Sequence, residues 1–305
     1  MRSLCRALAL ALLLAACREE PPPPPPAPRP VVRPRGEAIN LQQAMTHLRA
    51  LASGPRPTGS PAEARAADYI EKALAENGYR VERQPFPLPG GGESANVLAF
   101  PEVDPETERH LLVGAHYDTV VGSPGANDNA SGVAVLLELA RVLAARPARL
   151  PVVFVAFGAE EGRPGPEHQS LGGSRHYAQG ISPAAARNLA AMINLDMIGR
   201  GDALLSTLRL NMKRGVHKKM LGLAGGLGVP VREHFTPQVS DSVPFASRGI
   251  ETGWLWTGVE PAYHSPLDTL ENITPETLDW AGRLTLAVIR SYEADPLKNE
   301  AEGGK

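Results

Sequence analysis

Five side chains of metal-binding type recur along the 305 residues: His116 in His-Tyr-Asp, Asp128 in Asn-Asp-Asn-Ala-Ser-Gly, Glu161 in Ala-Glu-Glu, Asp196 in Asn-Leu-Asp-Met and His264 in Tyr-His-Ser-Pro. Two imidazoles and three carboxylates are ligands zinc takes, and they are enough for two ions. Glu160, directly before Glu161, is left over to move protons. The chemistry such a set supports is metal-assisted hydrolysis.

Each motif alone has a plain alternative. A histidine after a strand is usually structural, but in His116-x-Asp118 the carboxylate can accept from the ring nitrogen that faces away from a metal, fixing the tautomer. Asp128 could belong to a simple polar turn; as a short acid on a tight loop it can also offer both oxygens to two cations. Glu160-Glu161 could be a solvated turn, yet adjacent side chains diverge, so one can ligate while the other takes a proton from water. Asp196 interrupts Met-Ile-Asn-Leu-Asp-Met-Ile, and an acid buried there is costly unless paired or metal-bound. His264 could sit in a surface turn. His47, His110, His168, His176, His217 and His234 have no such partners and receive no role.

The elements that must position these groups follow from hydrophobic periodicity. Helices are expected over Leu41–Ala52, Pro61–Asn77, Ser131–Ala145 and Pro275–Glu293, the last with Thr274 as N-cap. Strands are expected over Tyr79–Phe86, Ala95–Phe100, Leu111–Ala115, Pro151–Phe157, Leu189–Leu195, Val229–Phe235 and Ile250–Trp256. Pro151–Phe157 is almost wholly apolar, as a strand covered on both faces should be. Alternating strands and helices predict an α/β fold, a three-layer αβα sandwich with a mixed, mostly parallel central sheet. Sites in such folds form at the carboxyl ends of strands. His116, Glu160, Glu161, Asp196 and His264 each fall at or shortly after a strand end, and Asp128 falls in the loop before a helix.

The net charge of −2 argues against nucleic acid as a partner. The only two cysteines, Cys5 and Cys17, precede the globular region, which therefore has no thiol, disulfide or Cys-based metal site. Residues 1–17 read as a signal peptide: Arg2 and Arg6 precede the short apolar core Ala7–Ala16, which ends in Leu-Ala-Ala-Cys17. That ending resembles the bacterial lipobox, in which the cysteine is lipidated. The expected place is the bacterial cell envelope, anchored through Cys17 and facing the periplasm. Arg18, where an Asp would signal inner-membrane retention, favours the outer membrane. Residues 18–37 form a Pro-rich linker with six consecutive prolines, a semi-rigid spacer in extended polyproline conformation. The domain is expected over 38–295, with a polar tail over 296–305.

Taken in order, His-x-Asp, Asp-Asn, Glu-Glu, Asp and Tyr-His resemble the M28 family of di-zinc aminopeptidases. The segments Asn129-Ala-Ser-Gly132, Gly173-Ser-Arg175 and Tyr263-His-Ser-Pro-Leu-Asp-Thr269 match as well. The resemblance runs from about Ala38 to Glu293. It implies that His116 and Asp196 hold one zinc, that Glu161 and His264 hold the other, and that Asp128 bridges them. Glu160 would be the general base, Asp118 would orient His116, and Tyr263 would donate its hydroxyl to the tetrahedral intermediate. The substrates implied are peptides with a free N-terminus. The chain departs from the family at Ser240-Asp241-Ser242, where Ser-Asp-His is common, and so lacks that histidine. The segment Gly162–Leu171 is expected to form a loop over the site and shape specificity, and Trp254, Leu255 and Trp256 suggest an apolar pocket. Two other readings compete. One is a glutaminyl-peptide cyclotransferase with a single zinc, and the other is an inactive M28-like binding module. Oligomeric state is not indicated.

Overall fold

The computed structural model describes residues 38–165, 169–210 and 212–292. The expected signal peptide, Pro-rich linker and polar tail lie outside these residues, as does Glu293, the expected end of the closing helix.

Eight strands form one sheet: β1 (Arg80–Pro87), β2 (Glu93–Phe100), β3 (His110–His116), β4 (Val152–Phe157), β5 (Leu189–Leu195), β6 (Leu204–Leu208), β7 (Val231–Phe235) and β8 (Thr252–Trp256). Their order across the sheet is β1-β2-β4-β3-β5-β8-β6-β7. The four central strands β4, β3, β5 and β8 run parallel, as do β6 and β7, whereas β1–β2, β2–β4 and β6–β8 are antiparallel. The mixed, mostly parallel sheet is as expected. The sequence reading lacks β6, whose Leu-Leu-Ser-Thr-Leu neither alternates nor forms an unbroken apolar run.

Period-two alternation sorts the sheet's side chains onto two faces. Leu111, Val113, Ala115, Phe154, Ala156, Ile193 and Leu195 join one core cluster, and Leu112, Val153, Val155, Phe157 and Met192 join the other. The first face is covered by α1 (Leu41–Leu51), α2 (Pro61–Glu76), α3 (Ser131–Ala145), α6 (Gly215–Leu227) and α8 (Pro275–Ser291). The second is covered by α4 (Gly172–Gly180), α5 (Pro183–Asn188) and α7 (Ser242–Ser247). Three layers result, because each sheet face needs an apolar cover. Gly114 is the tight point of the second face: a Cβ there would lie 2.4 Å from the Phe157 ring.

Local sequence sets the helix starts. Asn40 Oδ1 accepts from the Gln42 and Gln43 amides, and Ser60 Oγ from Glu63, with Pro61 in the first turn. Thr274 is the N-cap of α8, as expected, although its side chain accepts no helix amide, and its backbone N–H donates to Gly199 O at 2.7 Å. α3 is buried on nearly all sides, including Glu138, which Arg141 and the Asn40 amide satisfy. Among the described residues no helix is long and apolar enough to cross a membrane.

Candidate metal centre

Because β4, β3, β5 and β8 are adjacent and parallel, their carboxyl ends lie along one edge. His116 closes β3, Glu160 and Glu161 follow β4, Asp196 follows β5, and His264 lies in the loop after β8. Asp128 enters from the short turn 126–130 that opens α3, and its peptide bond to Asn129 is cis. Three of these chain turns pass through left-handed backbone at residues other than glycine: Ala159 (φ 53°), Met197 (φ 52°) and His264 (φ 55°). Such conformations persist only where surrounding contacts hold them, and they concentrate at functional sites.

The structure brings all five candidate ligands together around Asp128. His116 Nε2 lies 3.2 Å from Asp128 Oδ1 and 3.4 Å from Asp196 Oδ1. His264 Nε2 lies 3.3 Å from Asp128 Oδ2 and 3.0 Å from Glu161 Oε2. Two clusters, each of one imidazole and one terminal carboxylate, thus share the two oxygens of a single acid. Ligand atoms of His116, Asp128 and Glu161 lie within 4.8 Å of one another.

The electrostatics fit a divalent cation. Burial and the charges of Glu161, Asp241 and Asp196 push the Glu160 carboxyl well above its ordinary range, against the pull of His116. Burial and Asp128 push Glu161 up to about 8. Burial alone would depress both imidazoles, but the acids outweigh it: Asp118, Asp128 and Asp196 hold His116 well above its usual value, and Asp128 and Glu161 hold His264 at about 10. Asp128 itself is held low, because His116 and His264 overcome its burial. Acids crowded this closely hold protons that a bound cation would displace, and every candidate donor is an imidazole nitrogen or a carboxylate oxygen, the types zinc takes.

Asp118 faces His116 as expected, its Oδ1 3.6 Å from Nδ1, an ion-pair distance longer than a hydrogen bond. Its oxygens are taken by the amides of Glu160 (2.9 Å) and Glu161 (3.2 Å) and by Thr58 Oγ1 (2.7 Å). Tyr263 stacks its ring on His264, with centroids 3.7 Å apart, and burial together with the nearby acids pushes its phenol upward.

Several supporting residues, most of them quoted in the sequence segments, have roles that the sequence did not indicate. Asp268 accepts the amides of Asn127 and Asp128. Ser240 Oγ donates to Asp196 Oδ2 at 2.5 Å and accepts from Asn194 Nδ2. Asn129 joins the turns around Asp128 and Asp196, accepting the Met197 and Gly132 amides and donating to Leu195 O. Arg56, 3% exposed, donates to the carbonyls of Leu51, Tyr117, Pro124 and Gly125, tying the end of α1 to both ligand-bearing segments. Asp241 is fully buried with neither carboxylate oxygen partnered, and burial raises it to about 7. The only local signal for Asp268 and Ser240 was their place beside His264 and in Ser-Asp-Ser; their partners lie far away in the chain.

The ligands open into a cavity of about 280 Å³ whose other wall is Met197, Val239, Trp254, Trp256 and Tyr263. Trp254 and Trp256 stack at 5.1 Å, and the Trp256 indole N–H points to Met197 Sδ. Leu255 faces the opposite core, as strand alternation requires. None of the described residues of the segment 162–171 lines this cavity, residues 166–168 lie outside the described ones, and Arg163 donates to Gly91 O.

Residues 96–289 match the peptidase family M28. The chain belongs to that family. This M28 chain is 36% identical over 214 residues to the aminopeptidase YwaD of Bacillus subtilis, an alignment covering 66% of the chain and 45% of YwaD. The chain spans about half the length of the curated relatives it matches. The fold of an aminopeptidase from Aneurinibacillus sp. strain AM-1 superposes with a TM-score of 0.75 at 22% identity, over 83% of this chain and 94% of that one. A glutaminyl cyclase of Porphyromonas gingivalis superposes with a TM-score of 0.72 at 23% identity, over 83% and 99%. The α/β sandwich of this M28 chain is therefore shared with both enzyme types.

Proposed function

We propose that the chain is a zinc-dependent aminopeptidase that removes the N-terminal residue of peptides, with Glu160 as general base. One observation carries the reading: the two oxygens of Asp128 face two different imidazoles, each with its own terminal acid. His116, Asp196 and Asp128 Oδ1 would hold one zinc, and His264, Glu161 and Asp128 Oδ2 the other. Bound zinc supplies Lewis acidity, polarising the scissile carbonyl and making water acidic near neutral pH.

The chain's own residues supply the rest. The Glu160 carboxylate accepts a proton from the attacking water and passes it to the departing amine. Asp118, through the Glu160 and Glu161 amides, aims these neighbours separately. The Tyr263 hydroxyl, at the cavity wall, donates to the oxygen that becomes negative as water adds. The substrate's α-ammonium lies among the carboxylates, and its side chain lies against Met197, Trp254, Trp256 and Val239, a wall suited to an apolar residue. Anchoring through a lipidated Cys17 belongs to the same proposal and rests on residues 1–17 alone.

Cyclisation of N-terminal glutamine at one zinc is the second reading, favoured by the fold shared with the Porphyromonas gingivalis cyclase. The symmetric use of Asp128 favours the peptidase. A zinc count paired with assays on aminoacyl anilides and on an N-terminal glutamine peptide separates them. Two zinc ions with hydrolysis are expected; one zinc with cyclisation would overturn the proposal.

A further inference from the structure

The turn that carries Glu160 is gripped from two sides. On one side the carbonyls of Gly158, Ala159 and Glu160 accept the amides of Gly173 (2.9 Å), Gly172 (2.8 Å) and Leu171 (2.7 Å). On the other, the next three amides point at buried carboxylates. Asp118 takes those of Glu160 and Glu161. The Ala159 amide goes to Glu63 Oε1 at 3.2 Å.

Glu63 sits in the first turn of α2 and is 3% exposed. Its Oε1 also accepts from Ser94 Oγ at 2.6 Å, and its Oε2 from the Gly59 amide at 2.5 Å. It therefore ties the start of α2 and the strand β2 to a residue in left-handed backbone immediately before the base. Glu63 does not line the metal cavity; it borders a separate cavity of about 560 Å³ with Ser94, Arg83 and Tyr117. A buried carboxylate is costly unless hydrogen-bonded, and Glu63 also stands three residues after the Ser60 N-cap, the place of the acid in a capping box. The bond to the Ala159 amide lies outside any such cap: it reaches 96 residues along the chain, to the residue immediately before the base.

We infer that Glu63 is a positioning residue for Glu160, acting through the Ala159 amide. The inference rests on the proposed role of Glu160 as base. Glu63 and Asp118 together hold three consecutive amides, so the Glu160 carboxylate is aimed by backbone that two separate segments clamp. Loosening one clamp misplaces the base without removing a ligand, and misplacement on the scale of an ångström is expensive in rate.

The test uses the full zinc-loaded chain, with kcat, KM, bound zinc and hydrogen exchange of amides 159–161 measured for Glu63→Ala, Glu63→Asp, Glu63→Gln and Glu160→Gln. Glu63→Ala is expected to lower kcat about tenfold or more while KM and bound zinc stay within about twofold, because only the aim of the base changes. Exchange at 159–161 speeds up. Glu63→Gln restores much of kcat, since its amide oxygen can still accept from Ala159 and Ser94. Glu63→Asp keeps the charge but withdraws it by one methylene, and it shows the kcat loss even if the alanine chain does not fold. Wild-type kcat in Glu63→Asp, or a kcat loss matched by loss of zinc, overturns the inference. Normal kcat in the Glu63 variants beside an inactive Glu160→Gln overturns this inference alone. Near-normal turnover of Glu160→Gln overturns the base and the inference with it.

Discussion

Asp268, four residues beyond His264, holds the backbone of Asp128: its Oδ2 accepts the Asp128 amide at 2.9 Å, and its Oδ1 accepts that of Asn127 at 2.7 Å. The Asp268 carbonyl also accepts the Ala126 amide at 3.1 Å. The loop bearing one imidazole thus sets the position of the acid that both imidazoles face.

Asp268→Ala removes two carboxylate–amide bonds beside the shared acid. Zinc affinity is expected to fall roughly 10–100-fold, the range seen when groups that orient ligands are lost. Asp268→Asn keeps one acceptor and falls less. Competition with a chromophoric chelator measures both, and unchanged affinity in the alanine variant refutes the role.

Glu160→Gln keeps the shape of the site and its ligands but cannot take up a proton. Bound zinc should match wild type, and turnover of an aminoacyl anilide should fall by on the order of 10² to 10⁴. Turnover within a few-fold of wild type would sink the assignment of the base.

Asp128→Ala removes the oxygens that face both imidazoles. The variant is expected to retain fewer zinc ions per chain than wild type after dialysis, as counted by elemental analysis. An unchanged count would show that the acid does not bridge.

Burial, with the Asp118 charge, raises the Glu63 carboxyl from 4.5 to about 7, against its hydrogen bonds from Ser94, Gly59 and Ala159. The folded chain therefore keeps this proton where the unfolded chain has lost it. The corresponding stability is fully present below 4.5 and is lost as pH rises through about 7. Glu63→Gln has no proton to lose. The Tm difference between wild type and Glu63→Gln should move in the variant's favour as pH rises across that window. A pH-independent difference would contradict the raised carboxyl.

Cys17→Ser tests the anchor. Expressed in a bacterial host, the native chain is expected in the detergent-soluble membrane fraction with a mass increment at its N-terminus, and the serine variant in the soluble fraction. Equal partitioning of the two would remove lipidation at Cys17 from the proposal.

Much of the fold was legible because its signals are local. The apolar run of β4, the 3.6-residue period of α3 and the Ser60-Pro61 start of α2 are each written within a few residues. β6 and the helix after it were not, since Leu-Leu-Ser-Thr-Leu does not alternate and four glycines interrupt the period of the helix. Thr274 stands at the N-cap as its residue type suggests, but whether its hydroxyl meets a helix amide is set by the local backbone, and here it does not.

For the site, the sequence by itself determined which residues are candidate ligands and that they fall at strand ends, because residue type and the alternation of strand and helix are properties of short segments. It did not determine which donor meets which oxygen. That was decided by the order β4-β3-β5-β8, which sets four parallel strand ends side by side and lets His116 and His264 approach Asp128 from different sides. Nor could it show that Asp118 serves the Glu160 and Glu161 amides, that Asp268 carries the Asp128 turn, or that Glu63 reaches Ala159. Those bonds join residues 42 to 140 positions apart. Only packing the sheet between its two helical layers brings such partners within hydrogen-bond distance, and a carboxylate's choice among competing donors is made there, by burial and geometry.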